Sequence, residues 1–352
     1  MLRYMTAGES HGKYLVAILE GMVAGLKVNP SLIDAQLKRR QSGYGRGGRM
    51  AIESDRVEIV SGLRKGVTIG SPITLLIANK DHSIDRLAPV TCVRPGHADL
   101  AASMKYDFND ARSALERASA RETAARTALG TLCRIFLAHA GISLRSRVVM
   151  IGGIEVRQDN RRLVRERIDT ARHSGDTLGG VFEIEATGLI AGLGSSVAAD
   201  RKLDARLCGA LMSIQAIKGV EVGIGFIAAR EPGSHVHDAI FYDTRKGFYR
   251  TTNNAGGIEG GISNGEPLMV RCAMKPISTL MKPLASVDIR TKKPHKAAAE
   301  RSDICAVEAA AVVAEAVTAF ELANAFLEKF GGDSLSETLR NFKAYRKQIK
   351  KF

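Results

Sequence analysis

Apolar positions recur along this chain with two different periods, and the switches between them divide it into groups of strands separated by long helices. Asn29 and Pro30 stand ahead of Ile33 and Leu37, which lie one helical turn apart. That spacing predicts a capped, basic amphipathic helix over about 30–40, running out into the glycine-rich stretch QSGYGRGGR. Residues 57–63 and 71–78 read as short strands, the second bounded by Gly70 and Asn79. Ser119 and Glu122 form a capping-box pattern before Ala124, Leu129, Leu132 and Phe136, predicting a helix over 120–139 that stops at Gly141. Strand patterns return at 142–156 and 181–188. Leu203, Leu207, Leu211 and Ile214 mark a further helix, followed by the strand-like VEVGIGFI at 220–227. A long helix is predicted from 304 to 330, ended by Gly331 and Gly332. The last segment, 334–352, reads as a basic helix whose Leu335, Leu339 and Phe342 can dock on the body. Strands that cluster between long helices, without regular alternation, predict an α+β fold built on antiparallel sheets. No linker or short repeat divides the sequence, so one large domain over 1–352 is expected.

Composition narrows the class. With 352 residues, 45% hydrophobic and 25% charged, the chain can bury a real core and is not expected to be disordered. Uninterrupted apolar runs such as 73–78 and 309–314 are far shorter than the roughly 18 residues of a spanning segment, and mean hydropathy is −0.05. The opening MLRYMTAGESHG has no apolar leader core, so a cytoplasmic protein without a membrane partner is expected. Five scattered cysteines without a CxxC pair read as reduced thiols and suggest no metal site. A net charge of +14 calls for an anionic partner. Tryptophan is absent and aromatics make up 5%, which supplies stacking platforms poorly, and the arginines are dispersed through segments that look folded. A small polyanion is therefore expected rather than nucleic acid.

Two short motifs invite readings that their context declines. Gly8-Glu9-Ser10-His11-Gly12 fits a serine nucleophile elbow, but an elbow needs a sheet built upstream and only seven residues precede Gly8. Gly43, Gly45 and Gly48 fit a dinucleotide fingerprint, yet they follow Lys38-Arg39-Arg40 instead of a buried strand. An anion clamp from Arg40, Arg46 and Arg49 suits that stretch better. His11 and His97 each lie between glycine and a small residue, where a ligand can approach the ring closely. His82, His139, His173, His235, His237 and His295 lack this setting and read as structural.

In order along the chain, TAGESHG, RRQSGYGRGGRM, RPGHADL, ERASARETAAR, SIQAIKGVEVGIGF, NNAGGIEGGISNG, MKPIST and ERSDICAV resemble the chorismate synthase family, from Tyr4 to about Phe330. The resemblance implies a β-α-β sandwich, a homotetramer, reduced FMN as cofactor, and a lyase. Its reaction would be anti-1,4-elimination of phosphate from 5-enolpyruvylshikimate 3-phosphate to chorismate, with no net redox change. By the same resemblance His11 would be the general acid on phosphate, and His97 would stabilise or protonate the reduced flavin. Asp303 would accept a proton by way of the flavin, with Ser10 and Ser119 relaying or positioning. Arg40, Arg46, Arg49, Arg94 and Arg301 would meet the substrate's anionic groups; Arg40 and Arg46 also match positions described for NADP, and NADPH is kept only as an indirect source of flavin reduction. Flavin contacts carry over to Arg117, Ala118, Ser119, Gln215, Ala216, Gly260, Lys275, Pro276, Ile277, Ser278, Thr279 and Arg301. The chain departs from the common pattern at Ala114-Leu115-Glu116, where many members have glycines, at Ala118 for a frequent serine, and at Glu308 for a proline. It is also short around 80–93 and 157–175, where trimmed loops are expected. Flavin-dependent redox chemistry and a basic nucleic-acid-binding role are the rival classes.

Overall fold

The computed structural model describes residues 1–47, 54–245, 247–300 and 302–352. Arg49, Arg301 and Gly48 lie outside the described residues, and with them part of the expected clamp.

Two antiparallel sheets enclose a layer of helices. The first holds β1 (Arg3–Ala7), β2 (Tyr14–Glu20), β3 (Val57–Ile59) and β4 (Ile73–Ala78) in the order β1-β2-β4-β3. Tyr14 pairs with Ala78 and Leu19 with Ile73, a register that places Leu15, Ala17, Leu19, Ile73, Leu75 and Ile77 on one buried face. The second holds β5 (Ser143–Ile151), β6 (Ile154–Glu155), β7 (Gly180–Thr187), β8 (Ile217–Val222) and β9 (Leu268–Met274) in the order β8-β9-β7-β5-β6. Its central pairs, Leu268 with Ala186, Val270 with Ile184 and Cys272 with Phe182, are fully buried. Between the sheets run α1 (Pro30–Gln41), α4 (Thr123–Ala138), α6 (Leu203–Met212) and α7 (Val307–Phe330). Here α4 lies against β2 and β4, α7 lies against β5 and β7, and the two helices pack on each other. Outside the sandwich lie α2 (Asp99–Tyr106), α3 (Arg112–Ala118), α5 (Arg161–His173) and α8 (Leu335–Ile349).

The architecture is the α+β fold of antiparallel sheets that the strand grouping predicts, arranged as the β-α-β sandwich that the resemblance implies, and several elements differ in detail. The Asn29 cap forms, its Oδ1 accepting from the Ser31 amide at 3.0 Å. The box at Ser119 does not close: Ser119 Oγ accepts from Arg121 N, a 3-10 turn over Ala120–Glu122 intervenes, and Glu122 turns to Thr6 and Arg126 instead. The strand expected over 220–227 ends at Val222, because Gly223 and Gly225 take left-handed φ of 62° and 48°. Residues 157–175, expected to be a trimmed loop, carry α5 with Val164, Ile168 and Ala171 buried. Only three buried apolar positions in a very basic segment leave that helix barely visible in the sequence. By length and composition α7 could cross a membrane, but 89% of its apolar window is buried inside the sandwich.

Two features hold the helical layer. Where α4 crosses α7, a Cβ on Gly130 would stand 2.3 Å from Ala316 O, so the helices meet backbone to backbone. Nearby, Glu315 is a fully buried carboxylate in mid α7 that takes both terminal nitrogens of Arg39 at 2.9 Å, Arg134, and Ser146 Oγ at 2.6 Å. It thereby ties α1, α4 and β5 to the central helix. Burial pushes its pKa up, but the Arg39 and Ser146 hydrogen bonds and the Arg134 charge outweigh that and hold it below the usual carboxylate value.

Gly130→Ala should cost about 3 kcal/mol or more, lowering Tm by roughly 4 °C, because the added methyl must push two helix backbones apart. Gly209→Ala in α6, where a Cβ meets nothing within 4 Å, should instead stabilise by up to about 1 kcal/mol. Equal effects at the two sites, read by thermal melts, would refute the close-crossing account. For Glu315 the folded state binds its proton less readily than the unfolded chain, so its contribution is present above the ordinary carboxylate range and fades as pH falls. Glu315→Gln should therefore lose about 3 kcal/mol at pH 7, and the gap to wild type should narrow below about pH 4.5. A gap independent of pH would exclude that ion-pair role.

Candidate active site

The turn between β1 and β2 is TAGESHG. Gly8 sits at φ +102°, and a Cβ there would fall 2.3 Å from Tyr14 O, so glycine lets the turn fold back on β2. This presses Ser10 and His11 against α3. Ser10 is buried, its amide donates to Glu116 O at 3.0 Å, and its hydroxyl accepts from Ser119 Oγ at 3.2 Å. His11 Nδ1 lies 2.9 and 3.0 Å from the two carboxylate oxygens of Glu116, and the His11 amide donates to Oε2 at 2.8 Å. Because an ionised carboxylate can only accept, Nδ1 carries the hydrogen, and Nε2 is the ring's second proton site. Glu116 is fully buried, yet its pKa is lowered: burial raises it, while the His11 hydrogen bonds and charge and Arg112 prevail.

The same turn leads to a buried cluster of charges. Asn79 donates to Glu9 O and Gly12 O at 3.2 and 2.7 Å and accepts from Arg121 Nε at 2.8 Å. Arg121 Nη1 reaches both oxygens of Asp55 at 2.7 Å, and Arg40 Nη1 lies 3.5 Å from the same carboxylate. Arg40 also donates to Thr123 Oγ1 and Ala120 O, each at 2.9 Å. Burial, against the pull of Asp55 and with like charge from Arg121 and Arg46, brings the Arg40 guanidinium down to about 10. Arg46 pairs with Asp303 Oδ2 at 3.2 Å, and Asp303 Oδ1 accepts from the Gly47 amide at 2.6 Å. Among the described residues, Asp55 and Asp303 are the carboxylates that pair with Arg40, Arg46 and Arg121. Nη1 of Arg40 and Nε of Arg46 are buried and donate no hydrogen bond to any described residue. A cluster with spare guanidinium donors and surplus positive charge suits an anion of phosphate or carboxylate type. Asp303 does not cap α7, which starts four residues later with Ala306 at its cap and no side-chain bond.

The arginine loop is itself held by α5. Tyr44 Oη donates to Asp169 Oδ2 at 2.7 Å, and the guanidinium groups of Arg165 and Arg172 lie 5.3 and 5.6 Å from its ring centre.

His97 repeats the arrangement of His11. Its Nδ1 lies 2.5 Å from Oδ1 of Asp99, which is fully buried and also takes Arg94 Nε and Nη2 at 2.8 and 3.0 Å. Burial would raise the Asp99 pKa, but the hydrogen bonds from His97 and Arg94 and their charges carry it well below the usual range. Arg94, expected to meet substrate, has its donors committed to Asp99 and, through Nη1 at 2.7 Å, to Thr279. Thr279 O accepts from Ser302 Oγ at 2.9 Å, next to Asp303. An unbroken path of polar contacts and adjacent residues therefore joins His97 to Asp303 and Arg46, and a second joins Arg40 to the His11 turn. Arg40 and Arg46 are close enough to feel one another's charge.

Most of the expected flavin set gathers beside these groups. Lys275 N donates to Ala216 O at 2.9 Å, and Lys275 Nζ and Ser278 Oγ both donate to Gly96 O, at 2.8 and 2.9 Å. Pro276 and Ile277 lie between them, and Ile277 O accepts from Thr177 Oγ1 at 2.7 Å. Burial, then Lys218, holds the Lys275 ammonium below its ordinary value. Gln215 Nε2 approaches Glu122 at 3.4 Å, while its Oε1 is buried without a hydrogen-bond partner among the described residues. Ala216 takes φ +68°, a strained value for a residue with a side chain. Arg117 reaches Thr6 O and Gly8 O, and Ala118 ends α3 beside Ser119. Gly260 stands apart in the hairpin Ile258–Ser263, whose closest surroundings are Ser195, Ser196 and Lys202. Sequence reasoning left Asp55, Asn79, Asp99, Glu116 and Arg121 without roles. Asp99 and Arg121 lie inside the motifs RPGHADL and ERASARETAAR, so their blocks carried the signal; Asp55 is joined to its partners only by folding.

The model of the family described as chorismate synthase matches residues 2–327. The chorismate synthase of Geobacter sulfurreducens is 54% identical over 393 aligned positions, and that of Thermoanaerobacter pseudethanolicus 56% over 354, each covering all of both chains. A solved structure titled as the crystal structure of chorismate synthase is 41% identical, with a TM-score of 0.83 over 100% of this chain and 99% of that one. The sandwich is thus that of an enzyme, and the chain belongs to the chorismate synthase family.

Proposed function

We propose that this enzyme eliminates phosphate from 5-enolpyruvylshikimate 3-phosphate in the anti-1,4 sense, giving chorismate with no net redox change. The observation that carries this reading is the buried guanidinium pair with unspent donors, Arg40 Nη1 and Arg46 Nε, set between two histidines that each rest on a buried carboxylate. A substrate with one phosphate and two carboxylates needs such donors to offset its desolvation. Arg40 and Arg46 are accordingly assigned to substrate rather than to a nicotinamide nucleotide; the resemblance adds Arg49 and Arg301 to the same role, whereas Arg94 serves Asp99 and Thr279.

His11 in its imidazolium form gives its Nε2 proton to the leaving phosphate oxygen while Nδ1 stays on Glu116. Asp303 receives the proton lost from the ring, and the Gly47 amide and Arg46 keep its carboxylate aimed. Ser10 and Ser119 support the His11 turn. The residues suit a flavin: Gln215 Oε1 is a buried acceptor for a ring N–H, and Lys275, Ser278 and Arg117 are polar groups able to meet its anionic tail. Ala118, Ala216, Pro276, Ile277, Thr279 and Gly260 would line it with backbone or small side chains, and His97 would hold a proton at Nε2 toward it. Reduced FMN, when bound, supplies transient electron density to the allylic system and recovers it. Its reduction would come from an external donor, NADPH acting only indirectly. A cytoplasmic homotetramer is part of the same proposal; exposed Ile240, Phe241, Tyr242 and Phe248 on the Ile240–Arg250 hairpin are suited to cover by another copy.

The decisive measurement is anaerobic incubation with dithionite-reduced FMN and substrate, following phosphate and chorismate together. Equal yields with the flavin still reduced are expected; stoichiometric flavin oxidation without phosphate would refute the elimination. Asp303→Asn keeps an acceptor for the Gly47 amide but cannot take a proton, so turnover should fall at least about 100-fold with thermal stability near wild type. His97→Asn should lower turnover about 10- to 100-fold, Asn retaining a donor toward Asp99 so that the buried carboxylate is not stranded. Near-normal turnover in either variant would remove that residue from the mechanism.

A further inference from the structure

Glu116 has no role in the reaction as described, yet its surroundings are unusual for a helix residue. Its side chain is fully buried near the end of α3, and a carboxylate in that position must find cations or donors or pay heavily in lost hydration. It finds them almost wholly in one residue. His11 supplies both its backbone amide at 2.8 Å and its ring Nδ1 at 2.9 and 3.0 Å, while Arg112 Nη1 stands further off at 3.7 Å and is itself turned to Glu300 at 3.0 Å and Ala88 O at 3.2 Å. Glu116 O also accepts the Ser10 amide, so one residue fixes two consecutive amides of the turn and the ring that follows. On its other side His11 Nε2 is 3.8 Å from Asp81, a half-exposed residue.

The geometry points to Glu116 as the positioning residue of His11: its carboxylate fixes the Nδ1–H tautomer and the ring plane, so that Nε2 faces the reacting anion. A histidine whose second nitrogen is held by a carboxylate has one orientation and one tautomer, and loss of such a partner commonly costs about 10- to 100-fold in function. This inference rests on the assignment of His11 as the acid, and the experiment separates the two.

Turnover and KM would be measured for Glu116→Gln, His11→Asn and the double variant, alongside ¹⁵N NMR of histidine-labelled protein in which the His11 signals are those missing from His11→Asn. Glu116→Gln should lower kcat about 10- to 100-fold with KM changed less than about 3-fold, and in the His11→Asn background it should cost less than about 2-fold more. Read at a pH where the ring is neutral, the His11 ¹⁵N shifts should move from a single Nδ1–H form toward a tautomer mixture. Glu116→Asp, which keeps the charge on a shorter arm, should recover part of the loss and serves the same cycle if the Gln variant does not fold. Equal losses with and without His11, or an unchanged tautomer in Glu116→Gln, would overturn the positioning role. Wild-type turnover in His11→Asn would overturn the acid assignment instead, whatever the tautomer does.

Discussion

A carboxylate removed from water is tolerated only when cations and donors surround it, and this constraint organises the molecule at every scale. Glu315 applies it in the helical layer, where it draws Arg39, Arg134 and Ser146 onto the central helix. Asp55 applies it at the arginine cluster, Asp99 at His97 and Glu116 at His11. Each holds in place a group that alone would be mobile or exposed. The same accounting applies around Arg40 and Arg46: among the described residues, Asp55 and Asp303 are the carboxylates paired with Arg40, Arg46 and Arg121.

Two structural features make this arrangement rigid enough for chemistry. The backbone contact of α4 with α7 at Gly130 fixes the direction of α4, and the turn preceding α4 carries Ser119, Ala120 and Arg121 into the site. On the other side, α5 grips Tyr44 and so holds the loop that presents Arg46 and the Gly47 amide to Asp303. Neither support touches a reacting group, and both determine where the reacting groups stand.

Much of the frame is legible in the sequence because it depends on local patterns. Asn29 with Pro30, the apolar stripe of 307–330 and the glycines that end it specify their helices without help from elsewhere. What was hidden is what depends on contacts distant in sequence. Only three buried apolar residues among many arginines disguise α5; the capping box at Ser119 fails because Glu122 has better partners in Thr6 and Arg126. In the site, the two histidines are visible from their glycine-flanked settings, whereas the partner of His11 lies 105 residues away. Glu116 is a charged residue directly after the apolar Ala114 and Leu115 of its helix, and only the fold shows what it faces. Asp99, two residues from His97, was in plain view and lacked only the ring orientation that gives it meaning.

The central helix also sets a schedule for the chain's own synthesis. Residues 307–330 leave the ribosome after all the elements they cover, yet they form the surface on which both β5 and β7 and the helices α1, α4 and α6 close. The first sheet can pair early, since β1 and β2 are neighbours in sequence. The apolar faces of the second sheet and of α4 must then wait, uncovered, until residues 307–330 have emerged. Long-range closure of this kind is slow and leaves apolar surface open to aggregation in the interval.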